Sequence, residues 1–312
     1  MSIDRTVIGS FPRPSSTVSL INAVKDVVDL QLDHDIEIIT DGEPRYNMIE
    51  YFEQIPGLER KNGSLKIVKK IEPMGNPRDF YKIVDYHMVK SYLAGINRAD
   101  VKVKINITGP ITLGFTCALG GLKHYRNIRD EQIYSDLSDA LSTLAEKSIG
   151  EGAHIQIDEP GLSANYVSPK FAKKVLNRFS SSLPDSAIDE GKISIHVCGT
   201  IKDILYHELL DLDIGILSLA FSGKKEKENM NIISRRSLED NRKKLGAGFI
   251  SNTVVEHEKT ALERLNKIAR TVGSENLAYI HPDCGFGSTP YEKVIPILEN
   301  MKKASDSFIR SL

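Results

Sequence analysis

The chain has 312 residues, of which 40% are hydrophobic and 27% charged, the composition of a globular protein that can bury a sizeable core. Its formal net charge of −1 argues against nucleic acid or an anionic membrane as the main partner. No apolar run approaches the length that spans a bilayer, the N-terminus has no signal-peptide core, and three cysteines are too few for a disulfide framework. We therefore expect a cytoplasmic protein.

Short apolar runs alternate with amphipathic segments along the chain. The runs predict eight strands, at 6–11, 36–43, 101–109, 154–159, 193–198, 214–221, 245–251 and 277–281. The amphipathic segments predict helices at 18–32, 79–94, 131–149, 169–181, 201–210, 238–243, 255–272 and 291–303. This alternation predicts an α/β fold, a TIM (β/α)8 barrel. An open doubly wound sheet is the alternative, but no GxGxxG motif opens a helix after the first strand.

The length suits one domain, so we predict a single catalytic barrel over residues 1–312. Its longest interruption follows the second strand, at 44–100. Asn62-Gly63 is a hairpin turn signal in this segment, and a helix is predicted after it. We interpret 44–100 as an insertion on the barrel.

Polar side chains fall at the predicted C-terminal ends of the strands, where TIM-barrel active sites lie. They are Ser10, Asp41, Glu43, Thr108, Asp158, Glu159, His196, Cys198 and Cys284. Because side chains alternate along a strand, His196 and Cys198 share a face. An imidazole beside a thiolate is half of a zinc site, and Cys284 can reach the same barrel mouth from the last strand. The pattern predicts a zinc site there.

Each of these residues also has a simpler interpretation. A single His or Cys in a strand is more often a packed core residue. Asp158 and Glu159 could form only a strand-end cap, and Glu43 could be a loop charge. The charged stretch KKEKEN at 224–229 predicts a solvated loop, which could also close over the site.

Several motifs occur in a fixed order: IGSFPRP, TDGEPRYNMIEYF, ITGPIT, IQIDEPGL, IHVCGT and HPDCGFG. Together they resemble the cobalamin-independent methionine synthase family, specifically its C-terminal catalytic barrel. The likeness is greatest to the short archaeal type, which consists of this barrel alone. The resemblance implies a zinc-dependent methyltransferase with one Zn²⁺ per chain, which transfers a methyl group to the thiol of L-homocysteine and forms L-methionine.

The resemblance also implies a role for individual residues. The implied zinc ligands are His196, Cys198 and Cys284. The residues implied to hold the amino acid end of homocysteine are Ile8, Gly9, Ser10, Glu43 and Asp158. Carboxylates would pair with the substrate ammonium, and backbone groups near Gly9 and Ser10 with its carboxylate. Asp158 and Glu159 are the expected catalytic residues.

The chain departs from the family pattern at Ala220, which takes the place of a fourth zinc ligand, a Glu, on the strand after HxC. Alanine cannot ligate a metal, and Glu226 and Glu228 lie too far along the chain to replace it. The site is then either a three-ligand zinc with an open position, the usual form of a catalytic zinc, or a weakened site in a non-catalytic or partner-dependent paralogue. Ser251 also stands where relatives commonly carry Asp.

The methyl donor stays open. Long relatives use a folate polyglutamate and have a second barrel that contributes to its binding. A methylcorrinoid, free or on a protein, and methylfolate are therefore both expected candidates here. A zinc thiol methyltransferase that acts on another thiol, such as coenzyme M, would share the fold and the metal site.

Overall fold

The computed structural model describes residues 3–13, 18–119 and 122–312. In chain order the strands are β1 (Asp4–Arg5), β2 (Ile38–Ile39), β3 (Leu58–Lys61), β4 (Ser64–Ile67), β5 (Lys102–Thr108), β6 (His154–Asp158), β7 (Ile193–Val197), β8 (Ile216–Ala220), β9 (Lys244–Ile250) and β10 (Leu277–Pro282). The helices are α1 (Leu20–Asp33), α2 (Tyr81–Gly95), α3 (Pro110–Ala118), α4 (Glu131–Gly150), α5 (Pro160–Ser163), α6 (Pro169–Ser180), α7 (Asp185–Asp189), α8 (Asp203–Leu210), α9 (Glu226–Ile232), α10 (Arg235–Asp240), α11 (Glu258–Val272) and α12 (Tyr291–Ile309).

Eight parallel strands form a ring, in the order β1-β10-β9-β8-β7-β6-β5-β2. The two ends of this order meet where Thr6 bridges Ile38 in parallel, and the Thr6 hydroxyl donates to the Ile38 carbonyl at 2.7 Å. Helices surround the strands. The predicted TIM barrel is confirmed, and the carboxyl ends of its strands share one mouth.

The first two strands differ from the predictions: β1 lies ahead of the predicted 6–11, and β2 covers only two residues of the predicted 36–43. Beyond Ile39, the Gln31 side chain takes over the strand's hydrogen bonds. Its amide donates to the Thr40 carbonyl at 2.9 Å and accepts from the Thr40 N–H at 2.9 Å. A side-chain amide of α1 thus replaces a neighbouring strand, so residues 40–43 leave the sheet and reach the barrel mouth.

The segment 44–100 carries a hairpin and a helix, as its turn signal and periodicity predicted. Strands β3 and β4 pair antiparallel around Asn62 and Gly63, which both have positive φ, 51° and 75°. Such a two-residue turn matches the twist of the strands it joins. Leu65 and Ile83 from this segment belong to the same buried cluster as Ile105 of the barrel wall. The insertion therefore packs as part of the barrel core.

Two predictions about helices were wrong. The stretch 224–229 is helical, not a loop, since α9 begins at Glu226. Asn229 explains why, because its amide donates to the Gly199 and Ala220 carbonyls at 2.9 and 2.7 Å and so holds α9 against the strand ends. The helix predicted at 238–243 lies earlier, at α10, because Ser234 caps its first turn. No helix in the described ranges is both long and apolar enough to cross a membrane.

Candidate active site at the barrel mouth

Three soft donors meet at the ends of two strands. His196 lies in β7, Cys198 directly follows that strand, and Cys284 follows β10. Their ligand atoms all lie within 4.8 Å of one another. The ring of His196 is buried, and its Nε2 has no hydrogen-bond partner. A buried nitrogen without a partner is costly unless something fills its lone pair. The geometry therefore fits a metal ligand set.

The two cysteines share a proton. A hydrogen bond from the Cys198 S–H lowers the pKa of Cys284 well below its usual range. The same bond, together with burial, raises the pKa of Cys198. This hydrogen bond therefore favours the thiolate form of Cys284, which is the form that ligates a metal.

These donors line one wall of a cavity of about 490 Å³. Four of the five residues predicted to bind substrate line the same cavity, and they are Ile8, Ser10, Glu43 and Asp158. Gly9 lies behind the wall, where a Cβ would come within 2.7 Å of the Asn106 amide. Six of the nine strand-end residues that the sequence suggested are therefore brought together around one space, whereas Asp41, Thr108 and Glu159 do not line it.

Asp158 is held by two amides on the cavity wall. Asn106 donates to one carboxylate oxygen at 2.9 Å, and Gln156 donates to the other at 2.7 Å. Both amides also donate to the Ile8 carbonyl, which fixes their orientation. Burial raises the pKa of Asp158 to about 6. At neutral pH its carboxylate is mostly ionised and points its remaining lone pairs at the cavity.

Glu43 forms a buried ion pair that the sequence did not predict. Lys82 in α2 places its Nζ 2.6 Å from the Glu43 carboxylate, and the two side chains are 2% and 8% exposed. The same ammonium lies 3.8 Å from the centre of the Tyr51 ring, a cation–π contact. The insertion therefore contributes a positive charge to the wall that carries Glu43.

Residues 15–307 match the sequence model of a protein family described as the catalytic domain of cobalamin-independent synthase. The chain belongs to this family. Its predicted resemblance to cobalamin-independent methionine synthases is thereby confirmed, and it is a methyltransferase.

Individual relatives agree with this assignment. The chain is 31% identical to a protein from Methanothermobacter marburgensis named methionine synthase, over 97% of this chain and 99% of that protein. It is 26% identical to 5-methyltetrahydropteroyltriglutamate–homocysteine methyltransferase 1 of Arabidopsis thaliana, over 98% of this chain but 42% of that protein. Its fold is similar to that of a B12-independent methionine synthase from Shewanella sp. W3-18-1, at a TM-score of 0.75 and 18% identity over the whole of both chains.

The position that the resemblance assigns to a fourth zinc ligand is occupied by a side chain that cannot bind metal. Ala220 is fully buried at the end of β8, and its carbonyl accepts from Asn229. Glu226 instead pairs with Arg264 at 3.1 Å, and Glu228 is exposed. Throughout residues 3–13, 18–119 and 122–312, no further His, Cys, Asp or Glu joins the cluster of three. The candidate metal site in this part of the chain therefore has three donor residues.

Glu159 faces away from the cavity, towards α3. Its carboxylate accepts from the Ile111 N–H at 2.8 Å, the Thr112 N–H at 2.9 Å and the Thr112 hydroxyl at 2.6 Å. These contacts cap the N-terminus of α3, a helix that the sequence reading did not anticipate. Burial raises the pKa of Glu159 to about 7. Its contacts are those of a helix cap and not of a group that touches substrate.

Sequence reasoning also missed polar residues behind the donors. Ser218 and His281 form hydrogen bonds in the barrel interior next to His196. Asp283 accepts from the Ser222 backbone at 3.1 Å and pairs with Lys225 at 2.9 Å, which anchors the loop after β8. His281 and Asp283 lie in the HPDCGFG motif and could have been found there. Nothing in the sequence signals Ser218.

Proposed function

We propose that this chain is a zinc-dependent methyltransferase that transfers a methyl group to the thiol of L-homocysteine and forms L-methionine. The observation that carries the proposal is the position of His196, Cys198 and Cys284 on a cavity that Glu43 and Asp158 also line. Metal donors and carboxylates on one cavity suit a substrate with a thiol at one end and an ammonium at the other. Relatives over the full length of the chain are named methionine synthase.

One Zn²⁺ per chain fits this donor set. Two sulfurs and an imidazole are ligands that zinc prefers, and three protein ligands leave a position open for substrate. The unpartnered Nε2 of His196 supports the assignment. Zinc bound there would act as a Lewis acid that lowers the pKa of a substrate thiol.

The chain's own residues would bind and orient homocysteine. Asp158 and Glu43 are the proposed partners of its ammonium, and backbone groups near Gly9 and Ser10 the partners of its carboxylate. Of the two expected catalytic residues, Asp158 is the one that lines the cavity. We propose that Glu159 acts indirectly, because it holds the start of α3 beside β6.

The proposal allows two classes of methyl donor, a methylcorrinoid, free or on a protein, and methylfolate. The chain matches only 42% of the Arabidopsis relative that is named for its folate donor. Over its whole length it matches a relative whose name specifies no donor. Three free cysteines suit the reducing cytoplasm, the location that we propose.

A second candidate is methylation of a thiol without an amino group, such as coenzyme M. One observation favours it. Lys82 already neutralises Glu43, so this carboxylate has less need of a substrate ammonium than an unpaired one. Asp158 has no such lysine in hydrogen-bonding contact, since its partners are neutral amides, and this favours homocysteine.

The test is to load the purified protein with zinc and offer homocysteine with methylfolate and methylcobalamin in parallel reactions. We expect about one zinc per chain and methionine from at least one donor. Cys284→Ser should abolish both, while Cys117→Ala, at a buried cysteine in α3, should preserve both. Turnover with coenzyme M but not with homocysteine would establish the second candidate. Zinc-loaded protein that is inactive with every thiol and donor would contradict both and indicate a non-catalytic paralogue.

A further inference from the structure

A line of hydrogen bonds runs from His196 through the barrel interior. The Nδ1 of His196 lies 3.0 Å from the Ser218 hydroxyl, and this hydroxyl lies 2.9 Å from the Nε2 of His281. The Nδ1 of His281 lies 2.7 Å from the Pro282 carbonyl. All three side chains are buried, so water does not compete for these bonds.

The direction of every proton follows from the last bond. A carbonyl oxygen can only accept, so the Nδ1 of His281 carries a hydrogen. His281 is fully buried and has no carboxylate among its hydrogen-bond partners, and burial disfavours the charged ring, so the ring is neutral and its Nε2 is an acceptor. Ser218 therefore donates its single hydrogen to His281. Its oxygen must then accept from His196, whose Nδ1 carries the hydrogen.

We propose that Ser218 and His281 are positioning residues that hold His196 in the tautomer whose Nε2 bears a lone pair for a metal. The proposal rests on the proposed zinc function for its purpose, but the tautomer itself is a property of the metal-free protein. Partners of this kind, which fix the ring and the tautomer of a ligating histidine, are a general requirement of metal sites.

Strand β9 lies between β8, which carries Ser218, and β10, which carries His281. Ser218 pairs in register with Gly246 of β9, and His281 pairs with Gly248 of the same strand. A Cβ at Gly246 would come within 2.3 Å of the Tyr279 ring, and one at Gly248 within 2.9 Å of the Leu219 carbonyl. The missing side chain at Gly246 makes room for the Tyr279 ring, which packs 5.7 Å from the His281 ring.

The Pro282 carbonyl, which fixes the direction of the hydrogen bonds, lies at the same strand end as a proposed metal ligand. Pro282 is the last residue of β10, and Cys284 follows two residues later. A shift of this strand end would therefore move one ligand and release the tautomer of another. The proposed site is set as a unit by β7, β8 and β10.

The first test reads the tautomer directly. In metal-free protein with ¹⁵N-labelled histidine, long-range proton–nitrogen correlation spectra should show His196 protonated at Nδ1 and unprotonated at Nε2, with its signals assigned from their loss in His196→Asn. His281 should show the same pattern. A hydrogen on the Nε2 of His196 in the wild-type protein would overturn the proposal, whatever the protein does with zinc.

The second test measures zinc affinity by competition with a chromophoric chelator. Ser218→Ala should weaken zinc binding about 10- to 100-fold, the usual effect of losing such a partner. The matched control is Ser194→Ala, a buried hydroxyl of β7 that bonds to the Ile155 carbonyl, and its affinity should stay within about twofold of the wild type. His281→Phe should also weaken binding, and it should shift the hydrogen of His196 towards Nε2.

The outcomes separate the two proposals. Equal zinc affinities for Ser218→Ala and Ser194→Ala would overturn the role of Ser218. A wild-type protein that shows the stated tautomer and yet binds no zinc would support the hydrogen-bond assignment and overturn the zinc function. Ser218 and His281 act through the same series of hydrogen bonds. The double variant should therefore lose no more zinc affinity than the single variant that binds zinc less tightly. Fully additive losses would contradict this series of hydrogen bonds.

Discussion

The acidic and the metal-binding residues that line the cavity satisfy their polar atoms in opposite ways. On the acidic wall, formed by Glu43 and Asp158, a lysine and two amides already hold the carboxylates. On the metal wall, formed by His196, Cys198 and Cys284, a buried nitrogen is left without a partner. The carboxylates of the acidic wall thus already have partners within the fold, whereas the free nitrogen of the metal wall needs a ligand to provide one. We expect damage to the acidic wall to be seen first in stability, and damage to the metal wall first in binding.

The largest effect should come from breaking the acidic wall at its ion pair. Lys82→Met leaves the Glu43 carboxylate buried without a counterion, which should lower the free energy of unfolding by about 3–5 kcal/mol. Urea denaturation measures this change. Lys90→Met on the same helix is the control and should cost far less. If Lys82→Met/Glu43→Gln is no more stable than Lys82→Met, the unpaired charge is not the cause.

Zinc should stabilise the protein through the metal wall alone. At a free zinc concentration of 100 times its Kd, the free energy of unfolding should rise by about 2.7 kcal/mol, because the metal binds only the folded chain. Thermal or urea unfolding with and without zinc measures the gain. Cys284→Ser should show none of it, and an equal gain in that variant would place the metal elsewhere.

Asp158→Asn should separate substrate binding from metal binding. Loss of a charged partner for the substrate ammonium should cost about 2 kcal/mol of transition-state binding. It should therefore lower kcat/KM for homocysteine roughly 30-fold, with zinc content unchanged. In the wild-type enzyme, kcat/KM should fall below pH 6, since the pKa of Asp158 is about 6 and only its ionised form attracts the ammonium. An unchanged pH profile in the variant would show that another group is responsible.

The last prediction concerns the pH dependence of stability at Glu159, the neighbour that faces the helices. Its pKa rises on folding from 4.5 to about 7, so the folded state binds its proton more tightly than the unfolded state. The stability that this provides is complete below pH 4.5 and is lost as pH rises through 7, by at most about 1.4 kcal/mol per pH unit. Unfolding of the wild type and Glu159→Gln between pH 5 and 8 should reveal the difference in slope. Parallel curves would argue against a buried, protonated Glu159.

The barrel and its donors were predictable because both depend on local regularities. Alternating apolar runs predicted seven of the eight barrel strands at overlapping positions and the first just after its observed place, and β6 and β7 end within one residue of the predicted limits. The same period of two that places Gln156 beside Asp158 puts Glu159 on the opposite face, towards the helix layer. The alternation alone could therefore have predicted that Glu159 contacts a helix and not the cavity.

The remaining contacts were not predictable because they depend on which distant segments meet. Nothing in the helical pattern of 79–94 marks Lys82 as a buried partner of Glu43. Ser218 is an ordinary strand residue until β10 brings His281 within hydrogen-bonding distance of it. The shortness of β2 depends likewise on Gln31, which lies in the preceding helix.

The ion pair between Lys82 and Glu43 has a consequence for anyone who would trim this enzyme to a minimal scaffold. The ring of eight strands closes without the hairpin and helix of 44–100, although side chains from this segment pack in the barrel core. Removing this segment would leave the buried Glu43 carboxylate, at the edge of the cavity, without its counterion Lys82. A shortened version would have to replace Glu43 with a neutral residue. It would then lose one of the two negative charges that are proposed to bind the ammonium group of the substrate.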